Sequence, residues 1–139
     1  EEAYSRLKTE LARKMWFMPY APLLTVSATE RKRVTKVFPI IDEIIAERRK
    51  RIGTAELNRT LEEVLSVAAL PSYKGRTVRI YYLTQVKTEP PAFAVFTNHP
   101  EAFRDYHVRH IGKILRKHYA FAGTPIRIYF RGREKDKNP

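Results

Sequence analysis

Residues 77–97 read TVRIYYLTQVKTEPPAFAVFT, two β-like runs held apart by a short proline-containing turn. No other stretch limits the fold as strongly. In the first run Val78, Ile80, Tyr82 and Thr84 fall on one side and Arg79, Tyr81, Leu83 and Gln85 on the other, the period of a half-buried strand. KTEPP leaves room only for a turn or rigid loop, so AFAVFT is expected to return beside the first run as a hairpin. A lone hairpin cannot bury its apolar side and needs a third strand or a helix against it. PIRIYFR, at 125–131, supplies the strand: Ile126, Ile128 and Phe130 point inward, and Arg127, Tyr129 and Arg131 point outward.

Helical patterns surround these strands. TAELNRTLEEVLSVAAL carries Leu57, Leu61, Val64, Leu65 and Ala68 on one face and stops at Pro71, with Thr54 suited to the N-cap and Gly53 to the C-cap of the preceding helix. Asn98 before HPEAF looks like another N-cap, opening a helical region to about Phe121 that is interrupted near Asp105. Residues 54–131 therefore read α-β-β-α-α-β, an α+β unit with a three-stranded sheet.

The first 53 residues read differently. Tyr4, Leu7, Leu11 and Met15 mark a helix with one apolar stripe, LLTVSA at 23–28 reads as a short buried strand, and Val34, Val37, Ile40, Ile41, Ile44 and Ile45 give a second helix starting or bending near Pro39. One strand between two helices cannot satisfy its own edges. The chain opens EEAYSRL without Met, and a segment of a longer parent is expected.

Charge bounds the partners. The 139 residues hold 27 Lys plus Arg against 15 Asp plus Glu, a net charge of +12, with 43% hydrophobic residues to form a core. Such an excess favours a polyanion, nucleic acid before an acidic membrane surface, because neutralised phosphates release condensed counterions. Cysteine is absent, which excludes disulfides and thiolate metal sites, and no apolar run approaches the roughly 20 residues that span a bilayer. A cytoplasmic protein is expected.

Chemistry-bearing motifs are few. Gly53, Gly75, Gly112, Gly123 and Gly132 have neither the spacing of a phosphate-cradling P-loop nor that of Gly-x-x-Gly. Ser27, Ser66 and Ser72 lack a nucleophile context. His107 and His110 share a helix face, but no carboxylate or Cys sits at a supporting spacing, so packing is expected rather than a metal site. The basic run ERRKR suits a helix C-terminus and equally suits RNA contact. The outward residues Arg79, Tyr81, Arg127, Tyr129 and Arg131 interleave cations with rings, which fits RNA bases and also fits a neighbouring protein domain.

APLLTVSATERKRVTKVFPIIDEI, ERRKRIGTAELNRTLEEVL, KGRTVRIYYLTQVKTEPPAFAVFTN and GTPIRIYF together resemble, in order and spacing, the C-terminal part of the Der (EngA) family, bacterial tandem GTPases of ribosome assembly. The resemblance covers nearly the whole chain. It implies the end of a second P-loop GTPase domain over residues 1–53, as an α-β-α remnant, a KH-like domain with helices on one face of its sheet over 54–131, and a flexible basic tail over 132–139. It also implies that Ser27, Ala28 and Thr29 form the guanine-reading loop of the intact parent, with Ala28 offering its backbone N–H to the base. GTP and magnesium belong to that parent; this piece, lacking the phosphate elements, is expected to bind neither and to catalyse nothing. The implied partners are ribosomal RNA or the large ribosomal subunit, and the GTPase domains of the same chain; no membrane is implied.

Overall fold

The computed structural model describes residues 1–67 and 70–133. In chain order it has α1 (Glu2–Lys14), α2 (Val37–Arg49), α3 (Thr54–Val67), a two-stranded ribbon of β1 (Ser72–Tyr73) and β2 (Arg76–Thr77), then β3 (Ile80–Lys87), β4 (Ala92–Thr97), α4 (Asp105–Tyr119) and β5 (Arg127–Gly132). The sheet order is β3-β4-β5, with β4 antiparallel to β3 and parallel to β5. This is the expected α+β arrangement, and the connection between the two parallel strands is α4.

The core lies between the sheet and the α3–α4 pair. Leu57, Leu61 and Val64 of α3 meet Leu83, Phe93 and Val95 of the sheet and Ile111, Ile114 and Leu115 of α4, while Ile126, Ile128 and Phe130 close the β5 side. Burying each of the large apolar side chains is worth about 1.5–3 kcal/mol. Between the helices, the buried Thr60 and Tyr119 hydroxyls share a 2.6 Å hydrogen bond, so neither polar group is stranded in the core. Leu65, placed by its spacing on the same face, is 38% exposed; the stripe is narrower than the sequence suggests. Ala68 lies outside the described residues.

The alternation along β3 departs from expectation. Ile80 pairs with Thr97, but the next pair is Tyr82 with Phe96, so Tyr81 is the extra residue of a bulge. The inward set therefore changes phase: Val78 and Ile80 pack inward before the bulge, and Leu83 and Gln85 do so after it. Tyr82 and Thr84, expected on the same side as Val78 and Ile80, lie on the opposite one. A bulge adds one residue to one strand only, and the side chains after it swap faces until a second register shift between Gln85 and Lys87.

Three other local readings are corrected. LLTVSA forms no strand; among the described residues its one ladder contact is the bridge of Ser27 with Lys32, and Leu23 and Val26 stay exposed. No other described strand lies beside it, and a strand needs a neighbour to take its N–H and C=O groups. Asn98 caps no helix; its side chain accepts from the Arg79 N–H at 2.8 Å and donates to the Thr77 carbonyl at 2.9 Å. Thr54 spends its hydroxyl on Thr84 at 3.1 Å, bracing α3 against β3. The expected interruption near Asp105 is present: a short 3-10 turn at Pro100–Ala102 precedes α4. Of the expected loose tail, Gly132 ends β5, and 134–139 lie outside the described residues.

The first segment is fastened to the α+β unit at the 119–124 loop. Arg116 donates to the Phe121 and Thr124 carbonyls, each at 2.8 Å, while its guanidinium lies 4.6 Å from the centre of the Tyr20 ring. Burial pushes this guanidinium below its ordinary pKa. The Gly123 N–H donates to the Tyr20 carbonyl at 3.0 Å, and Glu47 of α2 accepts from the Ala122 N–H at 3.2 Å and from Lys50 at 2.8 Å. Two cations of ERRKR are likewise engaged: Arg49 pairs with Glu89 at 2.6 Å, and Lys50 also donates to the Tyr119 carbonyl at 2.7 Å.

Gly123 is irreplaceable in this seam. Its φ is +76°, and an added Cβ would collide with Cγ1 of Ile44 in α2. Gly123→Ala is expected to cost about 1–3 kcal/mol in a urea titration. Gly53→Ala, where no atom lies within 4 Å of the added carbon, is expected to change stability by less than about 0.5 kcal/mol.

Candidate nucleic-acid interface

The face of the sheet turned away from α3 and α4 carries the charged and aromatic side chains. Across its three strands the outward rows are Tyr82–Phe96–Arg131 and Thr84–Ala94–Tyr129, followed by Lys87–Ala92–Arg127. Tyr82 and Phe96 are stacked, with ring centroids 4.3 Å apart and planes 15° from parallel. Arg131 lies 5.9 Å from the Tyr129 ring centre, and Arg133 lies 4.6 Å from that of Tyr81, within the range of cation–π attraction. Because Ala92 and Ala94 are small, the floor is low. A shallow groove of about 400 Å³ opens beside them, lined by Val86, Lys87, Pro90, Ala92, Arg127, Tyr129 and Arg131.

Arg79, Tyr81, Arg127, Tyr129 and Arg131 are all exposed. Arg127, Tyr129 and Arg131 share the groove wall. Arg79 and Tyr81 flank Ile80 at the bulge, at the other edge of the sheet, where Tyr81 meets Arg133 instead of the β5 arginines. Sequence reasoning missed Tyr82, Phe96 and Arg133. The Tyr81-Tyr82 doublet was the available signal, since two large rings in succession break strict alternation. The face carries five cations, Arg79, Lys87, Arg127, Arg131 and Arg133, and the carboxylate of Glu89 in the 88–91 turn is taken up by Arg49.

Ser27, Ala28 and Thr29 occupy a separate place. Ser27 and Lys32 exchange two backbone hydrogen bonds of 3.1 and 3.0 Å, closing a turn in which Arg31 and Arg33 adopt positive φ. The Ser27 hydroxyl accepts from the Glu30 N–H at 3.2 Å and lies 3.3 Å from the Thr29 hydroxyl. Ala28 and Thr29 are left exposed at the tip. The Ser27 hydroxyl thus braces a turn flanked by the cations Arg31, Lys32 and Arg33, and no cluster of three metal-ligating side chains exists among the described residues.

Residues 51–131 match the family model described as the KH-domain-like C-terminal part of EngA bacterial GTPase enzymes. The chain belongs to that family. It is 36% identical to the GTPase Der of Persephonella marina over 99% of the chain and 31% of the relative. The GTPase Der of Thermodesulfovibrio yellowstonii is 43% identical over 90% of the chain and 28% of the relative, and that of Natranaerobius thermophilus 43% over 84% and 26%. The chain thus spans about three tenths of the length of these curated relatives.

Within the KH-like part His107 serves packing. His107 is 5% exposed and accepts the Arg104 N–H on Nδ1 at 2.9 Å, closing the first turn of α4. Its ring lies against Phe103 and Tyr106, and its Nε2 has no partner among the described residues. Desolvation by this apolar setting lowers its pKa, a shift that the bond to the Arg104 N–H opposes and the charges of Arg104 and His110 reinforce. On the far side of α4, Lys117 and His118 grip Glu63 of α3 at 2.7 and 2.5 Å, holding that carboxyl below its usual range.

The His107 shift has a defined consequence. The unfolded chain takes up a proton on this residue near pH 6.5, whereas the folded chain keeps it neutral to lower pH. Stability therefore falls as pH drops below about 6.5, until the lower folded-state pKa is reached. His107→Gln is expected to flatten that part of a urea-midpoint profile against pH while keeping the cap, because a Gln oxygen at the third helical position can accept the same N–H.

Proposed function

We propose that this chain is the C-terminal KH-like regulatory and RNA- or ribosome-interacting module of a tandem GTPase that acts in assembly of the large ribosomal subunit. The observation that carries the proposal is the outer sheet face, where five cations stand among exposed rings and, among the described residues, no carboxylate intervenes. Lys and Arg there would neutralise phosphates of ribosomal RNA, and the gain from counterion release would make binding steeply salt-dependent. We divide the chain into a GTPase-domain remnant over 1–53, the KH-like domain over 54–131, and a tail from 132. In the intact parent, Ser27, Ala28 and Thr29 would read guanine, with GTP, magnesium and hydrolysis supplied by segments absent from this chain.

A docking role for the first segment accompanies this one. Tyr4, Leu7, Met15 and Trp16 of the α1 region and Phe38, Ile41 and Ile45 of α2 are exposed apolar side chains, and contiguous apolar surface calls for protein cover. The GTPase domains of the parent are the natural cover. A purely structural docking domain with incidental charge would use these surfaces and the sheet face alike for protein contact, with no preference for RNA.

RNA binding measured by fluorescence anisotropy across a salt series separates the two. The module is expected to lose affinity steeply with salt, and Arg79→Glu, Arg127→Glu and Arg131→Glu combined are expected to abolish most binding and flatten the slope. An RNA affinity equal to that of an unrelated protein of the same net charge, unchanged by these substitutions, would favour the docking-only role.

A further inference from the structure

We infer that the outer sheet face receives unpaired RNA bases, stacked on Tyr82 and Tyr129, and does not merely hold a duplex by its phosphates. The inference rests on the reading of this face as an RNA surface and assigns its mode of recognition. Three observations carry it. The bulge at Tyr81 turns Tyr82 onto the solvent face, where it is 37% exposed and backed by Phe96 at 4.3 Å and 15°, so that one ring is braced and its other surface can be covered. Tyr129, 42% exposed, stands in the next row across the strands, opposite the small Ala94. Same-face rows are about 7 Å apart along a strand, too wide for neighbouring bases stacked on each other but suitable for bases splayed one to a row.

The cations are placed to serve such a strand. Arg131 lies in the Tyr82–Phe96 row and over the Tyr129 ring, and Arg127 and Lys87 end the groove lined by Ala92 and Tyr129. A backbone running along β5 would meet Arg131 and Arg127 on either side of Tyr129 while its bases lay on rings. Duplex RNA cannot use these rings, because its bases are stacked inside the helix and present only edges, hydroxyls and phosphates. A protein partner would have to supply carboxylates for five cations; nucleic acid supplies the charge and the π-faces together. The Gly-x-x-Gly loop that clamps a nucleic-acid backbone in ordinary KH domains is absent from this sequence, so another part of the chain must do that work.

The test compares a short uridine-rich single strand with the same strand annealed to its complement, by fluorescence anisotropy on the full 139-residue chain, both forms being measured across the same salt series. The single strand is expected to bind at least tenfold more tightly per phosphate. Tyr82→Leu and Tyr129→Leu are each expected to weaken single-strand binding about 5- to 100-fold, with the duplex affinity and the salt slope unchanged. Tyr82→Phe, which keeps the ring, should retain the affinity and shows that any loss in Tyr82→Leu is not misfolding. Equal affinity for the two forms, or tyrosine variants that bind RNA as well as the parent, would overturn the stacking inference while leaving the face an electrostatic RNA surface. Binding of neither form beyond that of an unrelated protein of equal charge would overturn the RNA reading itself, and the stacking inference with it.

Discussion

The β-bulge at Tyr81 is the constraint on which both sides of the sheet depend. Without the extra residue, the strand would carry Tyr82 and Thr84 into the core beside Ile80 and expel Leu83 to solvent. With it, Leu83 is fully buried against Phe93 and the helices, and Gln85 reaches the chain entering α3. Gln85 accepts the Ile52 N–H at 2.7 Å and donates to the Lys50 carbonyl at 2.9 Å, holding the linker before α3 to the sheet. One inserted residue thus sets the core and the linker on one face and the Tyr82–Phe96 stack on the other. The outer rows acquire their chemistry as a by-product of that packing solution.

A second dependence lies at the seam between the first segment and the KH-like part. Phe121 and Gly123 take positive φ because the chain must turn sharply from α4 into β5, and Arg116 holds that turn by two carbonyl contacts. Tyr20, Ile44 and Glu47 then close over it. An Arg stripped of part of its water keeps its charge, and acceptors in fixed positions with a π-face beside it offset the desolvation. The structure gives it both, so the turn that starts β5 and the docking of α2 are secured by one side chain.

Much of this was legible in the sequence. The hairpin, the returning third strand and the α3 stripe follow from periods of two and 3.6, because burial of one face outweighs the other forces on the chain and leaves a clear pattern in residues such as Leu57, Leu61, Ile128 and Phe130. Arg127, Tyr129 and Arg131 stand on the outer face for the same reason. The bulge was hidden because YYLTQV supports either phase: Tyr82 and Leu83 are both large and apolar enough to be core. LLTVSA misled for a different reason, since an apolar run shows a tendency toward burial but not whether a neighbouring strand is present. Asn98 and Thr54 have the composition of caps, yet each found a longer-range partner that local chemistry cannot reveal. The Arg116 seam joins residues about a hundred positions apart in sequence, beyond the reach of any local pattern.

The proposed function turns on whether the outer sheet face meets RNA. Amide and aromatic NMR shifts recorded on the labelled chain during titration with a short single-stranded RNA map that surface directly. The largest changes should fall on Tyr81, Tyr82, Phe96, Arg127, Tyr129 and Arg131, with the buried Leu83 and Val95 following only weakly through the strand. Changes confined to the exposed sides of α3 and α4, with the Tyr82 and Tyr129 rings unmoved, would contradict the assignment of the outer sheet face.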